Sequence, residues 1–255
     1  MIKTQLKDIL KQIPVETWNK IITKEPEYEH FKDLRRLYHF GAFETIMLVS
    51  GLNAYQLKGK AQEKYFPILK NVLEANKYKK DFEALRKTFL SFYQKERSYR
   101  GKLQRVNKFF DSDFAKALWK QDNATYFKEH FKSIWEELAL VIGAKKEQKT
   151  IAFAMKCLGI GLIMEGCTDF DFSRIPIPVD SRVKYFVKRL GLELEDDEIK
   201  DFFEDILKSL KYINMIHLDS LIWQIGKLSK DEIYQYFKEL HQEDIAHKLN
   251  NILNA

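Results

Sequence analysis

The sequence has few cysteines, prolines and glycines for its 255 residues. Two cysteines, Cys157 and Cys167, are too few for a disulfide framework, a four-thiolate zinc site or an iron–sulfur cluster. With only 5 prolines and 10 glycines, and many Lys, Leu, Glu and Ile residues, the chain favours helices over a turn-rich β fold. We therefore expect a reduced, all-α protein.

Several familiar signals are also missing. No run approaches the ~18 apolar residues of a membrane span, and the N-terminal MIKTQLKDILKQI has no apolar signal-peptide core. The chain has no HExxH, no GxSxG and no Gly-rich phosphate loop, and its six histidines are scattered. We expect a soluble, intracellular protein of the cytoplasm or nucleoid, with no metal and no cofactor.

Positive charge is in modest excess, with 43 Lys and Arg against 37 Asp and Glu, a net charge of +6. Such an excess is compatible with a polyanionic partner, because each neutralised phosphate releases counterions. It is equally compatible with an ordinary Lys-rich surface.

Helical periodicity recurs along most of the chain, and it predicts single helices over 102–119 and 230–253. The amphipathic run 127–143 closes on Gly143, a residue suited to a helix C-cap. A short basic turn, 144–148, separates it from another helical run, 149–164. The sequence therefore predicts a helical hairpin at this point.

An irregular stretch, 165–179, follows the hairpin. Pro176 and Pro178 force an extended chain, because a residue before proline avoids the helical region. Asp180 comes next and opens a helix whose first amides its side chain can cap. Capping alone explains this Asp, and a rigidly held catalytic carboxylate explains it equally well.

Lys149 stands at a helix start, where a cation opposes the helix dipole, and Lys145 and Lys146 add like charge. These effects disfavour the ammonium form. A free lysine is neutral only about 0.04% of the time at pH 7, so any shift towards the amine makes a better nucleophile. The alternative is an ordinary solvated lysine.

Two helical faces combine aromatic and hydrogen-bonding residues. Lys149, Phe153 and Lys156 fall at i, i+4 and i+7, and Asp219 and Trp223 fall at i and i+4. A flipped nucleobase is bound by such an aromatic surface with a polar neighbour. Core packing would produce the same spacing.

Three ordered blocks resemble a known family: VIGAKKEQKT (141–150), FDFSRIPIPVDSRV (170–183) and HLDSLIWQIG (217–226). Weaker matches occur at EPEY (25–28) and YQLKGKAQEKY (55–65). The pattern is similar to that of the helix-hairpin-helix DNA glycosylases. The separation from Lys149 to Asp180, 180 − 149 = 31 residues, is similar to that of their archaeal 8-oxoguanine branch, AGOG.

The resemblance implies a bifunctional base-excision repair enzyme, a DNA N-glycosylase and AP lyase acting on 8-oxoguanine in damaged DNA. It implies that Lys149 attacks C1′ of the damaged nucleotide, forms a Schiff base and permits β-elimination, while Asp180 stabilises the cationic sugar. No metal or cofactor takes part, and we expect a monomer.

The resemblance also implies a base pocket. Phe153 and Trp223 would sandwich the extruded base, Asp219 would bond its edge, and Lys156 and Pro178 would be further contacts.

Two further base-binding positions depart from the family pattern. Glu27 stands where the family has Gln, and Tyr65 stands where it has Trp. Tyr keeps a stacking surface, whereas Glu loses the donors of the amide. The turn residues Gly143, Lys145 and Lys146 would bind the DNA backbone without reading sequence.

The implied fold is all-α, with two helical subdomains flanking a cleft and a helix-hairpin-helix DNA-binding element. We expect one domain over 1–255, with approximate subdomains 40–150 and 1–39 plus 151–255. Two other functions stay open: a glycosylase for another damaged base, and a non-enzymatic helical DNA-binding protein.

Overall fold

A computed structural model describes residues 1–76, 81–210 and 212–253. Over these residues the chain forms sixteen α-helices and no strand, so the predicted all-α fold is confirmed. The chain divides into two compact units, a middle unit (Pro26–Phe172) and a terminal unit (Met1–Glu25 with Ser173–Ala255). The expected domain 1–255 includes residues 77–80, 211 and 254–255, which lie outside the described residues.

The middle unit contains nine of the described helices, a short 3-10 turn at Leu34–Arg36 and a π turn at Ala61–Tyr65. The helices are α3 (Pro26–Phe31), α4 (Phe40–Leu52), α5 (Phe66–Ala75), α6 (Phe82–Tyr93), α7 (Tyr99–Asp111), α8 (Asp113–Trp119), α9 (Ala124–Glu129), α10 (Phe131–Ile142) and α11 (Lys149–Met164). Every residue of α4 is buried, so α4 is the central helix around which this unit packs.

The main packing partner of α4 is α11. The two helices approach closely at Gly51, where a Cβ atom would lie 2.8 Å from Cα of Ala154 and 2.8 Å from Sγ of Cys157. Such distances are shorter than van der Waals contact, so only glycine fits here. The helix that begins at Lys149 is therefore anchored along its length in the core of the middle unit.

The helices of the terminal unit are α1 (Ile2–Leu10), α2 (Val15–Thr23), α12 (Ser181–Arg189), α13 (Asp196–Leu207), α14 (Met215–Ile225), α15 (Lys230–Glu239) and α16 (Glu243–Ile252). This unit contains amphipathic helices that bury one face, such as α1, α13 and α16, together with a more deeply buried helix, α14. Helix α14 packs against α2 and α12, α15 packs against α16, and α1 contacts α13 and α16. The best-buried helix of this unit is α14, in which nine of eleven residues are buried.

The division by contacts differs from the boundaries expected from the sequence. Residues 26–39 and 151–172 belong to the middle unit, because α3 and α11 pack there. Three predicted helices are also broken. His130 separates α9 from α10 within 127–143. Ser112 separates α7 from α8 within 102–119, and a left-handed residue, His241 (φ 57°), separates α15 from α16 within 230–253.

Candidate active-site residues in the two units

In the middle unit, α10 and α11 flank the turn at which the sequence predicts a helical hairpin. Gly143 ends α10 in a left-handed conformation with φ 71°. The amide of Ala144 donates to Ala139 O at 3.0 Å, and the amide of Gly143 donates to Leu140 O at 3.0 Å. These two bonds define a Schellman motif, the C-cap that a glycine favours at this position.

Two side chains, those of Trp135 and Lys108, hydrogen-bond to the turn between α10 and α11. The indole Nε1 of Trp135 donates to Lys146 O at 2.8 Å, and the Lys146 ammonium lies 4.8 Å from the centroid of the same indole. From α7, Nζ of Lys108 donates to Ile142 O at 2.8 Å. The chain between Gly143 and Lys149 therefore has a defined conformation, with Lys145 exposed on it.

Lys149 is the first residue of α11, and its side chain is exposed. One turn later Phe153 is half-buried, and Lys156 is fully buried with its Nζ 5.6 Å from the centroid of the Phe153 ring. The structure thus brings Phe153 and Lys156 into contact on one face of α11. Lys149 is the exposed member of the set, at the end of a helix whose other residues are largely in the core.

Tyr65 lies in the interior of the middle unit, 2% exposed. Its hydroxyl donates to Ser50 O at 2.7 Å and lies 2.8 Å from the hydroxyl of Tyr93. Burial and the neighbouring Tyr93 hold the pKa of Tyr65 well above its usual value, so the phenol stays protonated. Glu27 is also buried, on α3, which packs against α11. A contact of either residue with a base stays a prediction.

In the terminal unit, Asp180 is the N-cap of α12. Its Oδ1 accepts from the backbone amides of Arg182 at 2.7 Å and Val183 at 2.9 Å, which confirms the predicted cap. The buried Pro178 precedes it in an extended segment. The two hydrogen bonds to the first turn of α12 fix the orientation of this carboxylate.

Trp223 and Asp219 lie one turn apart on α14, with Trp223 half-buried and Asp219 3% exposed. The guanidinium carbon of Arg182 lies 4.1 Å from the centroid of the Trp223 ring, and its Nη1 donates to Trp223 O at 2.5 Å. Arg182 was not among the site residues predicted from the sequence. The available signal was its position in the first turn of α12, where a cation opposes the helix dipole and therefore suggests a specific contact.

The start of α14 is held by an uncharged capping pair. The side-chain oxygen of Asn214 accepts a hydrogen bond from the backbone amide of Ile216 at 3.0 Å, and the backbone amide of Asn214 donates to Nδ1 of His217 at 3.2 Å. Burial lowers the pKa of His217 to about 4, so this imidazole is neutral near pH 7. The helix that carries Asp219 and Trp223 therefore begins with a neutral, rigid cap.

In 1–76, 81–210 and 212–253, no group of three or more His, Cys, Asp and Glu side chains is placed to hold a metal ion. Across the same ranges, no helix has the length and apolar character needed to span a lipid bilayer.

Comparison with known proteins gives a consistent family. The chain is similar to the N-glycosylase/DNA lyase of Thermococcus kodakarensis, with 25% identity over 219 residues, 85% of this chain and 81% of that protein. It is also similar to the N-glycosylase/DNA lyase of Pyrobaculum aerophilum, with 24% identity over 243 residues, 88% and 87% of the two chains.

Its fold is shared with a crystal structure, the 8-oxoguanosine complex of Pa-AGOG, the 8-oxoguanine DNA glycosylase from Pyrobaculum aerophilum. The TM-score is 0.73 at 18% identity, over 98% of this chain and 96% of that one. The sequence model of the AGOG family, described as N-glycosylase/DNA lyase, matches residues 7–253. The chain therefore belongs to the AGOG family of N-glycosylase/DNA lyases.

Proposed function

We propose that this DNA glycosylase/lyase removes 8-oxoguanine, with Lys149 as nucleophile and Asp180 as the carboxylate that stabilises the reacting sugar. Family membership leaves no place for the non-enzymatic alternative. Pa-AGOG, which has the same fold, is an 8-oxoguanine glycosylase and was crystallised with 8-oxoguanosine, and this supports the choice of lesion. The proposal assigns each step to residues of this chain.

The position of Lys149 carries the proposal. Its side chain is exposed although α11 is largely buried, and it follows directly on a turn that Trp135 and Lys108 hold in place. An amine attached to a rigid helix end can be kept close to a sugar carbon, and this proximity removes much of the entropic barrier of the attack. An exposed lysine on a flexible loop would lack this advantage.

The chemistry begins with the neutral amine. Nζ of Lys149 bonds to C1′ while the bond from C1′ to the base breaks, and the base leaves with the electron pair and takes up a proton. Loss of a proton from nitrogen and opening of the C1′–O4′ bond give the Schiff base. Removal of a C2′ proton then expels the 3′ phosphate by β-elimination, and water hydrolyses the imine to release Lys149.

Asp180 contributes charge at a fixed place. Positive charge develops on the sugar as the base departs, and a preorganised carboxylate lowers the energy of that state without having to reorient. The two amides of α12 hold Oδ1 in place, so the other oxygen of the carboxylate can face the sugar.

The DNA-backbone and base contacts complete the assignment. Gly143, Lys145 and Lys146 would bind phosphates at the hairpin turn, as a helix-hairpin-helix element does. In the base pocket, Phe153 and Trp223 would stack on the extruded base. The remaining proposed base contacts are Lys156, Pro178, Asp219, Glu27 and Tyr65.

Borohydride reduction of the enzyme on an 8-oxoguanine duplex tests the proposal. The native protein should form a covalent adduct with DNA, because borohydride reduces the Schiff base to a stable amine. Lys149→Ala should give no adduct above background. Lys116→Ala, an exposed lysine on α8 paired with Asp113, is the matched control and should trap as the native protein does.

Two outcomes would contradict the proposal in different ways. Trapping by Lys149→Ala at the native level would show that another amine is the nucleophile. Much stronger trapping on a duplex with a different damaged base would leave the mechanism in place and replace the substrate. Glu27 and Tyr65 are proposed base contacts that depart from the family pattern, and both are buried. The choice of lesion is therefore the part of the proposal to test first.

A further inference from the structure

We propose that Arg182 is a positioning residue for base excision: it stacks behind Trp223, leaves the opposite face of the indole for the extruded base, and joins that face to Asp180. The inference rests on the proposed function, since it assigns Trp223 to base stacking. It adds a residue on α12 that acts through Trp223 and has no contact of its own with the base.

The contact is made with the face of the indole. A distance of 4.1 Å between the guanidinium carbon and the ring centroid is too short for an edge approach and matches a stacked cation–π pair. The guanidinium therefore occupies one face of Trp223. The Trp223 residue is half-buried, so part of its surface stays accessible, and we assign the face opposite Arg182 to the base.

Arg182 also fixes the backbone at the same residue. Its Nη1 donates to Trp223 O at 2.5 Å, so the side chain restrains both the ring and the carbonyl of one residue. The next residue, Gln224, is held on α2 by a bond from its Nε2 to Ile21 O at 2.9 Å. Trp223 is thus a preorganised stacking surface, which lowers the entropic cost of binding a flipped base.

Arg182 also contacts Asp180. The backbone amide of Arg182 donates to Oδ1 of Asp180 at 2.7 Å, while its side chain lies on Trp223. A cation in the first turn of α12 opposes the helix dipole, so dipole energetics do not favour an arginine here. The stack offsets that disadvantage, and it couples the orientation of the base surface to the cap that holds the carboxylate.

The test compares two reactions of the same enzyme. Excision of 8-oxoguanine needs the base surface, whereas strand cleavage at a preformed abasic site needs Lys149 and has no base to stack. Arg182→Met keeps most of the side-chain length and removes the charged planar group. We expect it to slow single-turnover excision about tenfold and to leave abasic-site cleavage within about twofold. Arg182→Lys should fall between Met and the native residue in excision.

Arg189→Met is the matched control. Arg189 is also on α12 and donates from its Nη1 to a backbone carbonyl, Leu228 O, at 2.7 Å, but the ring beside its guanidinium is that of Tyr185, with 6.0 Å between the guanidinium carbon and the centroid. Its loss should lower thermal stability without changing the ratio of excision to abasic-site cleavage. For Arg182→Met, an unchanged ratio would overturn the inference. Failure of the native protein to excise 8-oxoguanine while it cleaves abasic DNA would instead overturn the proposed substrate.

Discussion

The two units place their proposed catalytic residues by different means. In the middle unit, Lys149 begins α11, a helix with eleven of sixteen residues buried and no side-chain cap among the described residues. In the terminal unit, Asp180 begins α12, an amphipathic helix that its own side chain caps. The position of Lys149 therefore depends on the packing of α11 in the core, and the position of Asp180 depends on two local hydrogen bonds.

This difference separates long-range from local control of a site. A helix buried on most sides is positioned by close packing, so a change of one methyl group in its core reaches its end. A capped amphipathic helix is positioned by short-range signals, and a substitution there acts over a few residues. Substitutions at three positions, Gly51, Asp180 and Glu44, test the comparison in order from the largest expected effect to the smallest, and each is paired with a second position.

Gly51→Ala should have the largest effect on stability. The new Cβ would meet Cα of Ala154, a backbone atom that cannot move aside, and the resulting separation of α4 and α11 should destabilise the protein by about 3 kcal/mol. Alanine is the better helix former by only about 1 kcal/mol, so the clash wins. Thermal unfolding measures the loss, and borohydride trapping of the remaining folded protein should also fall, because α11 carries Lys149.

Ser50→Ala is the control at the neighbouring position. Within the described part of the chain the Ser50 hydroxyl has no hydrogen-bond partner, so its removal should be neutral or slightly stabilising. The bond from Tyr65 uses the Ser50 backbone carbonyl and is kept. Equal stability of the Gly51 variant and the native protein would show that the α4–α11 contact is adaptable, and the comparison would lose its first half.

Asp180 allows the cap and the charge to be separated. Asp180→Asn keeps an oxygen acceptor for the amides of Arg182 and Val183, so stability should change little. Asp180→Ala removes the acceptor and should cost about 1–2 kcal/mol of stability. Both variants lose the carboxylate, so both should excise 8-oxoguanine at least about 100-fold more slowly.

Ser229→Ala is the corresponding control, because Ser229 caps α15 in the same unit by accepting the amide of Glu232 at 3.3 Å. It should lower stability to a similar degree and leave excision by the folded protein unchanged. Excision by Asp180→Asn at the native rate would remove the charge of Asp180 from the mechanism and leave it as a cap alone.

The same contrast explains which features were predictable from the sequence. Glycine at a left-handed C-cap and Asp after an extended Pro-containing stretch are local signals, and Gly143 and Asp180 occupy the predicted places. The helix predicted over 149–164 has those bounds in the structure. Such features depend on residues within one or two turns, and the sequence shows those residues directly.

Other features were not predictable, some because the local sequence allows more than one conformation and others because they depend on distant residues. Ser112 interrupts a periodic run because its hydroxyl donates to Phe109 O and accepts from the amide of Ala115. In many other helices a serine does not form these bonds, so its presence alone does not predict a break. His241 adopts φ 57° without the glycine that usually marks a helix end. The stack of Arg182 on Trp223 joins residues 41 positions apart, and periodicity contains no information about such a pair.

Glu44 tests the buried side of the comparison through pH and should give the smallest effect. Its carboxyl lies at the α4–α11 interface, where a Cβ at Gly161 would come within 2.5 Å of both oxygens. Burial raises the pKa of Glu44 well above 4.5, Arg35 lowers it and Glu165 raises it. The stability that Glu44 contributes is thus fully present below pH 4.5 and is lost as pH rises through the raised pKa. Glu44→Gln should be more stable than the native protein at pH 7 and similar to it near pH 4.

Asp205→Asn in the terminal unit should show the opposite sign. Hydrogen bonds from Lys3 and Lys208 lower the pKa of Asp205, so its contribution is present above the usual pKa and is lost as pH falls through the lowered one. The pair with Lys3 is exposed, so the variant should lose a little stability at pH 7 and none in strong acid. Thermal unfolding of both variants from about pH 2 to pH 8 measures the two trends. Parallel curves for Glu44→Gln and the native protein would mean that Glu44 is ionised in the fold, and the core of the middle unit would then have to solvate a charge.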